Sequence, residues 1–92
     1  MPPGYLSGQR LNRAPPGHQR VLHAGREYVF YDGHFYVGDG DSYVAIAPPL
    51  GAVVRQLPTE AERVGSLSQR IYRFRGVHYR RVSQGYQVTS AP

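Results

Sequence analysis

One pattern occurs twice in this chain at a spacing of 43 residues. The first copy runs Tyr28-Val29-Phe30-Tyr31-Asp32-Gly33-His34-Phe35-Tyr36 and continues at Tyr43-Val44-Ala45-Ile46-Ala47-Pro48-Pro49. The second runs Ile71-Tyr72-Arg73-Phe74-Arg75-Gly76-Val77-His78-Tyr79 and continues at Tyr86-Gln87-Val88-Thr89-Ser90-Ala91-Pro92. Setting Gly33 on Gly76 also superposes Tyr31 on Phe74, Tyr36 on Tyr79, Tyr43 on Tyr86 and Pro49 on Pro92. A single duplicated unit accounts for all of these matches.

Each copy reads as a β-hairpin followed by a third strand. Aromatic and β-branched residues flank Asp32-Gly33, and an Asp-Gly dipeptide between such runs signals a type I′ turn, which needs positive φ at both positions. Arg75 stands where Asp32 does and adopts positive φ less readily, so the second turn is expected to be longer or of type II′. The third strands, Tyr43 to Ala47 and Tyr86 to Ser90, end where proline removes the ladder N–H. Further strands are expected at Arg20 to His23 and at Ala52 to Gln56. From Thr59 to Ser66 the sequence is ambiguous: Thr59-Glu60-Ala61-Glu62 fits a capping box, yet Gly65 and Ser66 follow at once, leaving a short helical turn and a strand as alternatives.

The expected fold class is therefore all-β, a small barrel or sandwich built from two such antiparallel units at about 28–49 and 71–92. Residues 1–17, rich in proline and glycine with only Tyr5, Leu6 and Leu11 to bury, read as a flexible arm or a strap lying over the domain of residues 18–92. A chain of 92 residues builds one core, and with no cysteine it has neither a disulfide framework nor a thiolate metal site to supplement it. The most apolar stretch, Val44 to Val54, is broken by Pro48-Pro49 and is far shorter than a membrane-spanning helix. The amino-terminal residues do not read as a secretory signal.

With a two-residue turn, Tyr31 lies opposite His34 and Val29 opposite Tyr36 on one face of the first hairpin, while Tyr28, Phe30, Phe35 and Val37 take the other. In the second copy Tyr72, Phe74, Val77 and Tyr79 fall together, opposite Ile71, Arg73, His78 and Arg80. The face that is aromatic in both copies is the expected shared core, burying Tyr31 and Tyr36 with Phe74 and Tyr79. Tyr28, Phe30 and Phe35 then either pack under the chain's own strap and the Arg20 to His23 strand or form an apolar patch for a partner.

Motifs for catalysis are missing: there is no Gly-x-Ser-x-Gly elbow, Walker sequence, His-Glu-x-x-His or Gly-x-Gly-x-x-Gly. Gly38-Asp39-Gly40-Asp41-Ser42 has the look of a calcium loop, but its twelfth position, counted from Asp39, is Leu50 rather than a bidentate glutamate. His18, His23, His34 and His78 show no ligand spacing. No metal and no cofactor is expected. The concrete feature is basic: all eleven basic residues are arginine, the formal charge is +5, and Arg70, Arg73, Arg75, Arg80 and Arg81 cluster with His78 on the second hairpin. Arginine suits bidentate contacts to phosphate or carboxylate, although a GC-rich genome that writes arginine codons by default and a charged edge guarding against strand aggregation explain the same residues.

The residues also resemble a known family. Pro15-Pro16-Gly17, then Tyr28, Tyr31, Gly33 and Tyr36, then Tyr43, Val44, Pro48, Pro49, Gly51, Val54, Leu57 and Pro58 look like an uncharacterised family of exported Gram-negative bacterial proteins with tyrosine-rich, Pro-Pro-x-Gly repeats. The resemblance implies a periplasmic or cell-envelope location, with a leader absent from this sequence, and carries over no catalytic residue. The second copy departs from the tyrosine runs at Arg73, Arg75 and Arg80.

Two readings of function follow. The first is a non-enzymatic envelope module that binds a protein or anionic polymer through the arginine hairpin. The second is a small β-barrel binding single-stranded nucleic acid, disfavoured by the placement of Tyr72 and Tyr79 on the face opposite Arg73 and Arg80. An enzyme is not expected, as no acid, base and nucleophile are assembled by any recognisable motif.

Overall fold

Alternating apolar strands joined by glycine turns give a chain with only strands among its described residues. The structure, a computed structural model, describes residues 8–66 and 68–90. In chain order the strands are β1 (Arg10–Leu11), β2 (Gln19–His23), β3 (Arg26–Tyr31), β4 (His34–Asp39), β5 (Ser42–Ile46), β6 (Val53–Val54), β7 (Glu62–Val64), β8 (Ile71–Phe74), β9 (Val77–Val82) and β10 (Gly85–Thr89). They form two antiparallel five-stranded sheets, ordered β1-β5-β4-β3-β2 and β6-β10-β9-β8-β7, packed together as a sandwich.

The registers of the two sheets coincide at an offset of 43 residues. Leu11 opposite Tyr43 becomes Val54 opposite Tyr86, Val29 opposite Tyr36 becomes Tyr72 opposite Tyr79, and Gln19 opposite Phe30 becomes Glu62 opposite Arg73. The pairing predicted across the first turn, Tyr31 with His34 and Val29 with Tyr36, is the pairing observed. Pro92, matched in sequence to Pro49, lies outside the described residues.

The shared core uses a different face of the first hairpin from the one expected. It joins Val21, Tyr28, Phe30, Phe35 and Val37 of the first sheet to Val54, Phe74, Val77, Tyr79 and Val88 of the second. Phe35 and Tyr79 are both 0 % exposed, and burying each contributes on the order of 2–3 kcal/mol. Tyr28, Phe30 and Phe35 are thus interior rather than an exposed patch for a partner. Tyr31 is 38 % exposed, contrary to expectation, while Tyr36 is buried in a second, smaller cluster with Val29 and Ala45. The reason is that the first hairpin is apolar on both sides, so alternation alone does not choose between them, whereas the second hairpin has only one apolar side to offer.

This choice makes the packing asymmetric. Adding 43 to Tyr28, Phe30, Phe35 and Val37 gives Ile71, Arg73, His78 and Arg80, which alternation places on the outer face of the second sheet. Equivalent faces do not meet across the sandwich; the sheets stack head to tail.

Of the arm or strap expected at residues 1–17, the described part, from residue 8, lies against the first sheet as a strap. Gly8 N–H donates to the Ala45 carbonyl and Ala45 N–H to that of Gln9, both at 2.8 Å, and β1 adds to the edge of β5. Leu11 and Ala14 then cover the Val29, Tyr36 and Ala45 cluster. Tyr5 and Leu6 lie outside the described residues. The Thr59 to Ser66 span is a turn followed by β7, with no helix. The Arg75-Gly76 turn has φ of 51° and 77°, nearly those of Asp32-Gly33 at 50° and 83°, so both turns are two-residue turns with positive φ at each position. The longer or type II′ turn expected from Arg75 is not formed, because its guanidinium is anchored across the sandwich.

Candidate functional site

The predicted arginine cluster divides among three places. Arg73 and Arg80 project from the outer face of the second sheet with His78 between them: Arg73 lies directly opposite His78 across β8 and β9, and Arg80 opposite Ile71. Arg73 pairs with Glu62 on β7 at 2.7 Å, and Arg80 donates to Gln87 Oε1 on β10 at 3.1 Å. The Arg73 ion pair is exposed, so it orients the guanidinium while contributing little to stability.

Arg75 does not join them. It sits at the hairpin tip with its side chain only 10 % exposed, donating from Nε to the Asp32 carbonyl and from Nη2 to Asp32 Oδ2, both at 2.8 Å, above the Phe74 ring at 5.2 Å. It is a structural residue. Arg70 and Arg81 lie at the opposite end of the hairpin, where Arg81 N–H donates to the Arg70 carbonyl at 3.0 Å. The Arg81 guanidinium stacks 4.9 Å from the Tyr86 ring and reaches the Gly85 carbonyl at 3.2 Å.

The charge is unevenly divided. Arg10, Arg13, Arg20 and Arg26 are matched by Glu27, Asp32, Asp39 and Asp41, whereas the seven arginines from Arg55 to Arg81 meet only Glu60 and Glu62. The whole +5 therefore belongs to the half of the chain that carries the second sheet.

Around the Asp32 turn, His34 is buried and its Nδ1–H donates to the Asp32 carbonyl at 3.3 Å. Burial holds its pKa below the ordinary histidine value; the bond to the Asp32 carbonyl and the Asp32 charge oppose that shift, and the Arg75 charge adds to it. Tyr36, whose ring centre is 6.1 Å from that of His34, has its pKa raised, chiefly by burial and then by the Asp32 charge. Both groups are neutral near pH 7. Ser42 donates to the Asp39 carbonyl and accepts from Arg10. Among the described residues no three histidine, aspartate or glutamate side chains converge on a metal position. Among the same residues no helix is long and apolar enough to cross a membrane.

Concavities flank the sandwich. One, of about 250 Å³, opens between Gln19, Phe30, Tyr31 and Asp32 and the Gln56 to Pro58 loop, which Gln19 clamps by accepting from Arg55 N–H and donating to the Gln56 carbonyl. Another, of about 420 Å³, lies on the outer face of the first sheet between the strap residues Ala14 and His18 and the strand residues Glu27, Val29, Gly38 and Tyr43. Sequence reasoning missed this second groove. Its signal was the alignment of Gly38 with Arg81 and of Val29 with Tyr72, two places where the first copy carries much the smaller residue.

No curated protein and no solved structure matches the chain. The sequence pattern of a family described as a family of unknown function, DUF6515, matches residues 5–92, nearly the whole length, and the chain belongs to that family.

Proposed function

We propose that the protein is a non-enzymatic binding module of the bacterial cell envelope that recognises an anionic polymer through the outer face of its second sheet. One observation carries this reading: the face bearing Arg73, His78 and Arg80 belongs to the half of the chain that holds all the excess positive charge, and Arg80 is tethered there to a neutral amide. At the equivalent positions the first sheet has Phe30, Phe35 and Val37, which fill the core, so a basic open face stands where an apolar packing face would otherwise be. Rigid strands hold the guanidinium groups in register, the arrangement that suits repeated phosphate or carboxylate groups.

Envelope location rests on the family resemblance of the Tyr-x-x-Tyr-x-Gly and Pro-Pro motifs. Single-stranded nucleic acid draws less support, since Tyr79 is fully buried and Tyr72 packs against the core, leaving no exposed aromatic row beside Arg73 and Arg80.

The test is a titration of the intact chain against lipopolysaccharide, peptidoglycan fragments, an acidic protein and single-stranded oligonucleotides at low and high salt. Binding to lipopolysaccharide that weakens with salt, and drops about tenfold in a variant carrying Arg73→Gln and Arg80→Gln, is expected as two of the charges facing the polymer are lost. Equal affinity in wild type and variant excludes this face. Preference for the oligonucleotides or the acidic protein reassigns the partner.

A further inference from the structure

We propose that the groove on the outer face of the first sheet takes an arginine together with an aromatic side chain from a peptide partner. The second sheet shows what fills the equivalent place when the chain supplies it. There Arg81 lies opposite Tyr86 across β9 and β10, its guanidinium 4.9 Å from the ring, and the Tyr72 ring meets the same Tyr86 edge-on at 5.3 Å. In the first sheet the residue opposite Tyr43 is Gly38, and Val29 stands at the position of Tyr72. Tyr43, the counterpart of Tyr86, thus keeps its place while both groups that would cover its ring are reduced to a hydrogen and an isopropyl group. What remains is the concavity of about 420 Å³ whose lining includes Ala14, His18, Glu27, Gly38 and Tyr43 together with Arg20, the counterpart of Arg63, so that one arginine stands at this position in both sheets.

The electrostatics of the rim favour a cation more than in the second sheet. Glu27 is the counterpart of Arg70, the residue whose carbonyl accepts from Arg81, so a carboxylate replaces a guanidinium beside the stacking position. Glu27 pairs with Arg20 at 2.6 Å but keeps 58 % of its side chain exposed, leaving room for a second charge-assisted bond. A guanidinium over the Tyr43 ring gains cation–π attraction, and a second, aromatic side chain fills the space that Val29 leaves. Two missing side chains of different kinds, rather than one, indicate a polypeptide as the occupant. This groove lies on the first sheet, away from the basic outer face of the second, and does not depend on the function proposed for that face.

The substitution Gly38→Arg tests the assignment directly. A side chain begins in open space at that position, which is in ordinary strand conformation, so the variant folds and stacks its own guanidinium on Tyr43. The probes are capped peptides holding one arginine and one tyrosine, adjacent or separated by a single residue, with lysine-for-arginine and alanine-for-tyrosine versions as controls. Calorimetry and the ring-proton shifts of Tyr43 are the readouts. Saturable binding of the arginine–tyrosine peptides is expected, with at least a tenfold loss in Gly38→Arg, a several-fold loss in Glu27→Gln, and weaker binding of both control peptides. No shift of the Tyr43 ring at millimolar peptide, or full retention of binding in Gly38→Arg, would overturn the proposal. So would free arginine binding as tightly as the peptides, which assigns the groove to a small cation, or sedimentation showing self-association that the peptides do not disturb and Gly38→Arg abolishes, which assigns it to a second copy of the chain.

Discussion

Asp32 and Arg75 hold the same position in the two hairpin turns, 43 residues apart, and bind each other across the sandwich through two hydrogen bonds of 2.8 Å. One of these bonds is to a backbone carbonyl and the other to the carboxylate, so the contact fixes the path of the first turn as well as its side chain. It also explains why an arginine tolerates φ of 51°: the conformation aims the side chain back over Phe74 and onto Asp32.

Substitution at Arg75 separates these roles. Arg75→Asn keeps a residue that accepts positive φ but removes the bonds, and is expected to cost about 2 kcal/mol, the usual worth of hydrogen bonds involving charged groups. Arg75→Ala loses the bonds without the relief that asparagine brings at positive φ, since alanine carries the same left-handed strain as arginine, and is expected to cost about 1 kcal/mol more than Arg75→Asn. Urea unfolding of the two variants measures both terms, and a neutral Arg75→Asn would show that the bridge between the tips contributes nothing.

The two turn glycines offer a second contrast. Gly33 and Gly76 have nearly the same φ, 83° and 77°, so the conformational cost of alanine is nearly equal at the two sites. Their surroundings differ: a Cβ at Gly33 would stand 2.6 Å from Cδ2 and Cε2 of Phe74, while at Gly76 it would meet open space. Gly76→Ala should cost about 1 kcal/mol and Gly33→Ala about 3 kcal/mol, the difference being overpacking against a buried ring. Equal midpoints in thermal or urea unfolding of the two variants would contradict this geometry.

Much of this architecture was legible in the residues. The register of both hairpins follows from Asp32-Gly33 and Arg75-Gly76, and the alternation about those turns correctly sorted the side chains into two sets. Three things were not legible, each for a physical reason. Two-residue strands such as β1 carry no periodicity, so Arg10 and Leu11 gave no strand signal and the segment read as a flexible arm or a strap. The turn at Arg75 is shaped by Asp32, a residue far away in sequence, which local propensity does not see. The inner face of the first hairpin depends on which of two apolar sides a partner sheet covers, a tertiary choice. The arginine cluster was visible as composition, but its division into an open face, a structural bridge and a stacked pair with Tyr86 needed the positions of Asp32, Gln87 and Tyr86.

His34 gives the fold a dependence on pH. Because burial keeps its pKa below the ordinary value, the unfolded chain binds a proton at this residue in a range where the native chain does not. Its contribution to stability is present above about pH 6.5 and is lost as pH falls from there toward the lowered native value. Urea midpoints at about pH 7.5, 6 and 5 should therefore decline more steeply in the wild type than in His34→Asn, which does not titrate but retains a donor for the Asp32 carbonyl. Parallel declines would mean that His34 takes up its proton equally well in the native state.

The head-to-tail stacking makes the sharpest prediction, since it inverts the roles of two neighbouring rings. Tyr31 and Phe35 lie on opposite faces of the same hairpin, and a sandwich made of like faces would bury Tyr31 against Phe74 and leave Phe35 outside. Here Phe35 is fully buried, 4.8 Å from the Phe30 ring, while Tyr31 is partly open to solvent beside the Gln56 to Pro58 loop. Phe35→Ala is expected to cost about 3–5 kcal/mol, as the neighbouring rings and Val37 lie on rigid strands that collapse only partly into the space left. Tyr31→Ala should cost about 1 kcal/mol or less, in keeping with an exposed position. Chemical-denaturation midpoints of the two variants decide the matter: if the larger loss falls on Tyr31, the first sheet presents its other face to the second, and both the basic outer surface and the groove over Tyr43 would have to be placed anew.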